Sequence, residues 1–429
     1  MPRSRPANII TLIGPGILVA ATGVGAGDLA TAGFAGAELG LAVAWAVVVG
    51  ATLKLVLTEN LARHQLATGN TILESAVTNL GYALYIPFGI YLVAWSYFVG
   101  AALISANATA LIALTEPKNP QHLYPYLGIA ASLAGLTLAL LGGFKLFERI
   151  MAACIALMVA VVIAAAIIAA PNPAEILKGL LIPSIPNPTT GGLAWTVALM
   201  GGVGGTLTIL CYSYWMRDAG RTQRNQLKAA RIDITIGYTV TAAFGLAMLA
   251  IAAPLQPQGS GLTLITNLAR ELGYTVNSKH GHIAGATAQT AFLIGALGAV
   301  FSSLLGVWQA VPYIFTDWLQ SGKRINKPQT PAQPVSTTAK PYRLFLVALA
   351  TIPLISLRFD FTQVQKIYAI VGAAFVPALA LVLLIINNRP SITPTIHRNR
   401  TLSNAALIAT PWSAAPSAIT TAAMTAALS

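Results

Sequence analysis

Ten stretches of the chain are apolar nearly without interruption and approach the length an α-helix needs to cross about 30 Å of hydrocarbon. They lie at 9–37, 41–58, 85–114, 124–143, 150–170, 193–215, 234–255, 287–312, 342–357 and 364–386. A backbone inside a bilayer must satisfy its own amides and carbonyls, and runs this long do so as helices. The pattern therefore predicts an all-α polytopic membrane protein. Its single transmembrane domain covers 1–386, with spans 1–5 within 9–170 and spans 6–10 within 193–386. The tail at 387–429 contains a weaker stretch, about 402–428, rich in Ala, Thr, Ser and Pro, which is left as a candidate eleventh span. Arg3 and Arg5 ahead of the first run resemble the start of a secretory signal. The run is read as a retained span because it has a counterpart downstream. Of the longer connections, 256–286 places Leu262, Ile265, Leu268 and Leu272 at helical spacing and predicts an amphipathic helix on the membrane surface. The connection 313–341 is rich in Pro, Gln and Thr and reads as loop.

Composition agrees with this pattern: 56% of residues are hydrophobic and 9% charged, against about a quarter charged in soluble domains. The formal charge of +13 would suggest a nucleic-acid surface in a soluble protein. Here the bases fall between apolar runs, so the expected partner is the lipid bilayer and no nucleic acid. Threading ten spans from an inside N-terminus puts eighteen of the 25 bases on the inner side and six outside, with Lys54 inside span 2. That bias predicts cytoplasmic termini and a plasma (inner) membrane location. Cys154 and Cys211 both lie in apolar runs and read as packing residues.

Spans 1 and 6 carry glycine clusters in their middles. Span 1 has Gly23, Gly25 and Gly27 followed by Asp28, and span 6 has Gly201, Gly202, Gly204 and Gly205. Glycine is a poor helix former, and the backbone it frees survives in a membrane only around a polar cavity. These spans are the first of two successive sets of five, and an odd number per set turns the second set upside down. Interrupted helices at matching places of two halves point to a midplane binding site of a transporter. Close packing is the simpler use of small residues, and Gly36 and Gly40 are assigned to it. Gly23-Val24-Gly25-Ala26-Gly27 lacks the spacing and the preceding strand of a dinucleotide fingerprint.

Asp28 is the one acid well inside an apolar run, where a carboxylate costs about 2.5–3.5 kcal/mol on insertion scales. Two roles suit it: N-cap of the second half of span 1, or ligand and coupling group. Asp233 stands at the cytoplasmic mouth of span 7 as a second coupling candidate. Lys54 is expected to snorkel to the cytoplasmic surface, Glu59 and Arg63 to pair on an exposed helix face, and all five histidines to lie in loops or tails. No acid, base and nucleophile converge within the spans, so no enzymatic activity and no bound cofactor are expected.

With these residues in place, the chain resembles the Nramp family of proton-coupled divalent-metal transporters, which share the LeuT-like 5+5 inverted repeat. The likeness rests on GPGILVA at 14–20, LAT and AGAELG within 29–40, LATG at 66–69, KLFE at 145–148, EILKGLLIPSIPN at 175–187 and Ile232-Asp233. It implies a transported divalent cation, a coupling proton and alternating access. The departures fall at the substrate site. The family's Asp-Pro-Gly-Asn in span 1 is Gly25-Ala26-Gly27-Asp28 here, and its Met-Pro-His in span 6 is absent from the segment Gly205 to Cys211. Span 3 offers Ser105, Asn107 and Thr109 where the family has acids. The expected site is then Gly25, Gly27, Asp28, Gly205, Thr206 and Thr208, a hard-oxygen set with Asp28 as the metal ligand. An organic solute or amine, with Asp28 as counter-ion, is the alternative cargo, and a non-transporting sensor or scaffold is the third reading.

Overall fold

The structure is a computed structural model that describes residues 14–169, 172–254, 264–325, 334–359, 361–393 and 398–410. Among these residues every regular element is helical. Among the described residues nine helices are long and apolar enough to span a bilayer, the first being Thr31–Thr68; dividing that one at Gly40 and joining Thr31–Leu39 to Pro15–Gly23 as the interrupted first span brings the spans to ten. The others are Ala44–Thr68, Tyr82–Thr115, Pro120–Leu141, Gly143–Ala169, the broken sixth (Leu193–Gly202 and Cys211–Asp218), Leu227–Ala252, His282–Arg324, Lys340–Arg358 and Phe361–Asn388. The sharp turn between spans 1 and 2 passes through Gly40 at φ +62°, a conformation open to glycine and strained for other residues.

The two sets of five form a LeuT-like inverted repeat with the broken spans at the centre. Span 1 packs on span 7, and its counterpart span 6 packs on span 2, the exchange that an inverted repeat requires. Spans 3, 6 and 8 are largely buried, whereas spans 4 and 5 turn most of their side chains outward, with Leu141 and Ile167 among the exposed apolar residues. In water such exposure would be a liability. In a bilayer it is the lipid-facing surface.

Several local expectations are corrected. The helix expected on the membrane surface exists as Leu264–His280, but Ile265, Leu268 and Leu272 are buried because the helix folds back along spans 8 and 5. Its glycine-to-glycine approach to span 8, Gly273 against Gly285, leaves no room for an intervening acyl chain. Leu262 lies outside the described residues, as do 9–13 of span 1 and 411–429 of the tail. Span 8 continues to Arg324 rather than ending near 312, because Thr316, Asp317 and Ser321 are buried against protein and need no loop. Span 2 continues to Thr68, so His64 is helical and buried, held between Asn387 Oδ1 (2.9 Å) and Ser75 Oγ (2.8 Å). Arg63 is likewise covered, by Asn399 and Ser403 beside the helix at 401–410. A short helix, Ile72–Leu80, follows span 2. Its capping box, Thr71 with Glu74, was a start signal present in the sequence.

Candidate substrate site

The sixth span breaks over Val203–Thr206. Gly204 and Gly205 take φ +75° and +83°, which L-residues with a side chain adopt only at a cost. Gly201 and Gly202 remain helical, so the break is shorter than the glycine cluster suggested. The first span is also interrupted. Helix covers Pro15–Gly23 and Thr31–Leu39, and the stretch between them, Val24–Ala30, is kinked at Gly25, whose φ −72° and ψ −106° are not helical. Gly25, Gly27 and Asp28 all lie on this stretch. Here the amide of Gly25 donates to Ser303 Oγ (2.8 Å), and Ser302 and Ser303 donate to the carbonyl of Ala21 (3.2 and 3.1 Å). Span 8 thus supplies the partners that the distorted helix lacks.

The two breaks touch. A methyl group added at Gly23 would lie 2.7 Å from the carbonyl carbon of Gly204, so only glycine permits this approach of backbones. Asp28 reaches across the contact: its buried carboxylate accepts the Gly204 amide at 3.2 Å. Among the described contacts it accepts no amide of its own helix, so the N-cap reading is replaced by a bond between the two halves.

Lys54 departs furthest from expectation. It is 1% exposed and points inward, donating through Nζ to the carbonyls of Gly201 (2.6 Å) and Val203. These carbonyls end the first half of span 6, where the helix has no amides left to offer them, and the negative end of the helix dipole favours a cation. The ammonium is also near enough to Asp28 for the two charges to interact, without a direct ion pair among the described contacts. A lysine inside an apolar run is a functional-site signal by default. Snorkelling fails because the half-broken neighbour offers Lys54 nearer acceptors than the headgroups do.

The rest of the predicted set divides. Thr206 is buried and its Oγ1 accepts from Trp95 Nε1 (3.0 Å). Thr208 lies in the 3₁₀ turn Leu207–Leu210, its Oγ1 against Gly205. Tyr238 closes the opposite side, with its hydroxyl 2.8 Å from Thr58 Oγ1. Ser105, Asn107 and Thr109 are buried on span 3, with Ser105 Oγ and Asn107 Oδ1 lacking hydrogen-bond partners among the described residues. Cys211 is buried among apolar neighbours as a packing residue. Among the described residues no three His, Cys, Asp or Glu side chains cluster as a metal centre. The acidic side chain at the breaks is Asp28, opposed by one lysine.

Asp233 is elsewhere. It is buried at the base-rich end, where it accepts from Gly14 N (3.1 Å), Gly16 N (2.9 Å), Tyr212 OH (3.1 Å) and Arg221 Nη1 (2.6 Å). Twelve residues of helix separate Gly16 from Asp28, or about 18 Å at 1.5 Å per residue. Asp233 therefore fastens spans 1, 6 and 7 together at their ends. A second polar cluster fastens span 6 to span 8 at the same end. Asp317 accepts from Tyr214 OH (2.6 Å) and Thr71 Oγ1 (2.9 Å), and Arg217 pairs with Glu74 at 2.9 Å. Both clusters were missed in the sequence because each is assembled from at least three separate segments.

A family model described as Natural resistance-associated macrophage protein-like matches residues 16–422. The chain is 30% identical over 264 residues to the divalent metal cation transporter MntH of Chromohalobacter salexigens, an alignment covering 56% of this chain and 56% of that relative. The chain thus spans little more than half the length of this curated relative. In structure it is similar to the Eremococcus coleocola manganese transporter (TM-score 0.74, 15% identity, 97% of this chain and 87% of that one). It is also similar to MhsT bound to L-phenylalanine (TM-score 0.59, 16% identity, 93% and 98%). At these identities the two structures speak for the fold alone.

Proposed function

We propose, from the premise that this chain belongs to the Nramp family, that it is a secondary-active transporter moving a cation across the membrane by alternating access. The observation that carries this is the buried Asp28 carboxylate at the junction of the two facing breaks. Burying a carboxylate there is costly, and a cation passing between the halves would offset that cost.

A divalent metal ion is the favoured cargo, because the curated relative is a divalent metal cation transporter and the similar structure a manganese transporter. The donors at this site are one carboxylate, the hydroxyls of Thr206 and Thr208, and the carbonyls of the break. By ligand type this hard-oxygen set suits magnesium, calcium and manganese better than metals that take thiolate or thioether ligands. Lys54 occupies two of those carbonyls and opposes Asp28 in charge. A metal ion taking these oxygens must displace its ammonium. The same opposition of charges favours a second reading, in which an organic solute is carried with Asp28 and Lys54 as its paired polar contacts.

Uptake of manganese, magnesium and a panel of amines into proteoliposomes separates the two, run on the parent and on Asp28→Asn. Asn keeps the shape and can accept the Gly204 amide. Losing a charged contact worth about 1.5–3 kcal/mol should weaken cation uptake roughly ten- to hundredfold in a folded protein. Metal uptake unchanged by Asp28→Asn would overturn the assignment of this carboxylate. Uptake of an amine without any metal would favour the second reading.

A further inference from the structure

At the base-rich end a cavity of about 510 Å³ opens between span 2, span 7 and the helix at 401–410. Four arginines line it, Arg63, Arg231, Arg398 and Arg400, against one acid, Glu59. Glu59 is already engaged twice, by Arg63 at 3.3 Å and by Arg231 at 2.7 Å. Arg398 uses only its Nε, on the carbonyl of Thr393 at 3.2 Å, and among the described residues neither Arg398 nor Arg400 has an acidic partner. The cavity therefore holds guanidinium groups in excess of the carboxylates available to them. Such forks match the oxygens of a phosphate group.

The remaining walls are of opposite character. Leu55 and Val56 of span 2 and Ile234 of span 7 line the same cavity. These residues sit one to two turns deeper along their helices than Arg63 and Arg231, as their numbering from the helix ends shows. Leu402 is 83% exposed beside the cavity, on the helix at 401–410 that directly follows Arg398 and Arg400. A basic rim above apolar helix faces at the membrane boundary has the polarity of a phospholipid, phosphate outward and glycerol and acyl chains inward. A soluble phosphate would gain nothing from the apolar walls.

We infer that this cavity is a binding site for the phosphodiester headgroup of an anionic phospholipid, held by Arg398 and Arg400 and seated between spans 2 and 7. Span 7 also carries Asp233, and the bound lipid would bridge the tail helix to the two spans that support the broken helices. Basic pockets between transmembrane helices are a recognised form of anionic-lipid site. Here the surplus of arginine over glutamate and the layering of the cavity select it.

The test is native mass spectrometry of the full-length protein titrated with phosphatidylglycerol and with phosphatidylcholine of the same acyl chains, alongside inorganic phosphate. Phosphatidylglycerol should bind at least about tenfold more tightly than phosphatidylcholine. The double substitution Arg398→Gln, Arg400→Gln should weaken it about thirtyfold, from roughly a fifth of affinity retained per arginine near an anionic headgroup. The charge-conserving pair Arg398→Lys, Arg400→Lys should keep most of the preference, which also controls for disturbance of the tail helix. Equal binding of the two lipids, or a preference that survives the glutamine pair, would overturn the site. Inorganic phosphate that binds the arginines and blocks phosphatidylglycerol at equal concentration would overturn the lipid assignment in favour of a soluble anion.

Discussion

Replacing Lys54 by Met keeps the length of the side chain and removes its charge. Two carbonyls at the end of the first half of span 6, Gly201 and Val203, would lose their donor, and Asp28 would lose the nearest opposing charge. Removing one partner of a buried charge pair costs about 3–5 kcal/mol, and hydrogen bonds to charged groups contribute about 1.5–3 kcal/mol each. A net loss of about 4 kcal/mol is therefore expected. With about 2.1 cal/mol/K of unfolding entropy per residue, a chain of 429 residues should lose roughly 4–5 °C in apparent Tm in a fixed detergent. The diagnostic comparison is a double-mutant cycle with Asp28→Asn. Once Asp28 is neutral, Lys54→Met no longer strands a charge, so the double variant should be more stable than the sum of the single losses by at least about 1 kcal/mol, within the range seen for coupled neighbours. A snorkelling lysine predicts a change within about 0.5 kcal/mol, as for ordinary surface substitutions. A Tm shift below about 1 °C for Lys54→Met, or losses that add, would refute the inward placement and the coupling together.

Further outcomes follow from the same geometry. Gly204→Ala should destabilise by at least about 1–2 kcal/mol from its positive φ alone, and more because the added methyl would lie 2.8 Å from the Tyr238 ring; thermal unfolding measures this, and an unchanged Tm would deny the sharp break in span 6. Asp233→Ala removes the acceptor shared by Arg221 and the amides of Gly14 and Gly16, so a cysteine introduced at Gly14 should react faster with a thiol reagent than in the parent, and equal rates would show that Asp233 does not fasten that end. Ten spans with the base-rich end cytoplasmic predict that cysteines placed near Lys118 and Arg270 react with an impermeant reagent from outside and one near Arg224 does not, in a Cys154→Ala background because Cys154 is partly exposed. The reverse pattern would invert the topology.

The membrane class, the ten spans and the two interrupted helices were determined by the sequence, because length and polarity of an apolar run are local properties that the bilayer constrains strongly. The glycines at 204 and 205 were legible for the same reason: positive φ is a property of one residue. Asp28 stood out because a carboxylate inside an apolar run is costly. Its partner did not, since nothing in residues 23–31 indicates that Gly204, 176 positions away, would supply the amide. Lys54 shows the limit most plainly. Read alone, four carbons of stem and a nearby helix end imply escape to the surface. Only the packed structure reveals that the break in span 6 leaves carbonyls within its reach, which hold its ammonium in the interior. His64, Arg63 and Asp317 were misplaced or overlooked for a related reason. Each marks a place where several segments meet, and the energy of a buried polar group depends on what the other segments bring. Hydropathy along one chain decides which residues enter the membrane, and tertiary packing decides which of them find partners there.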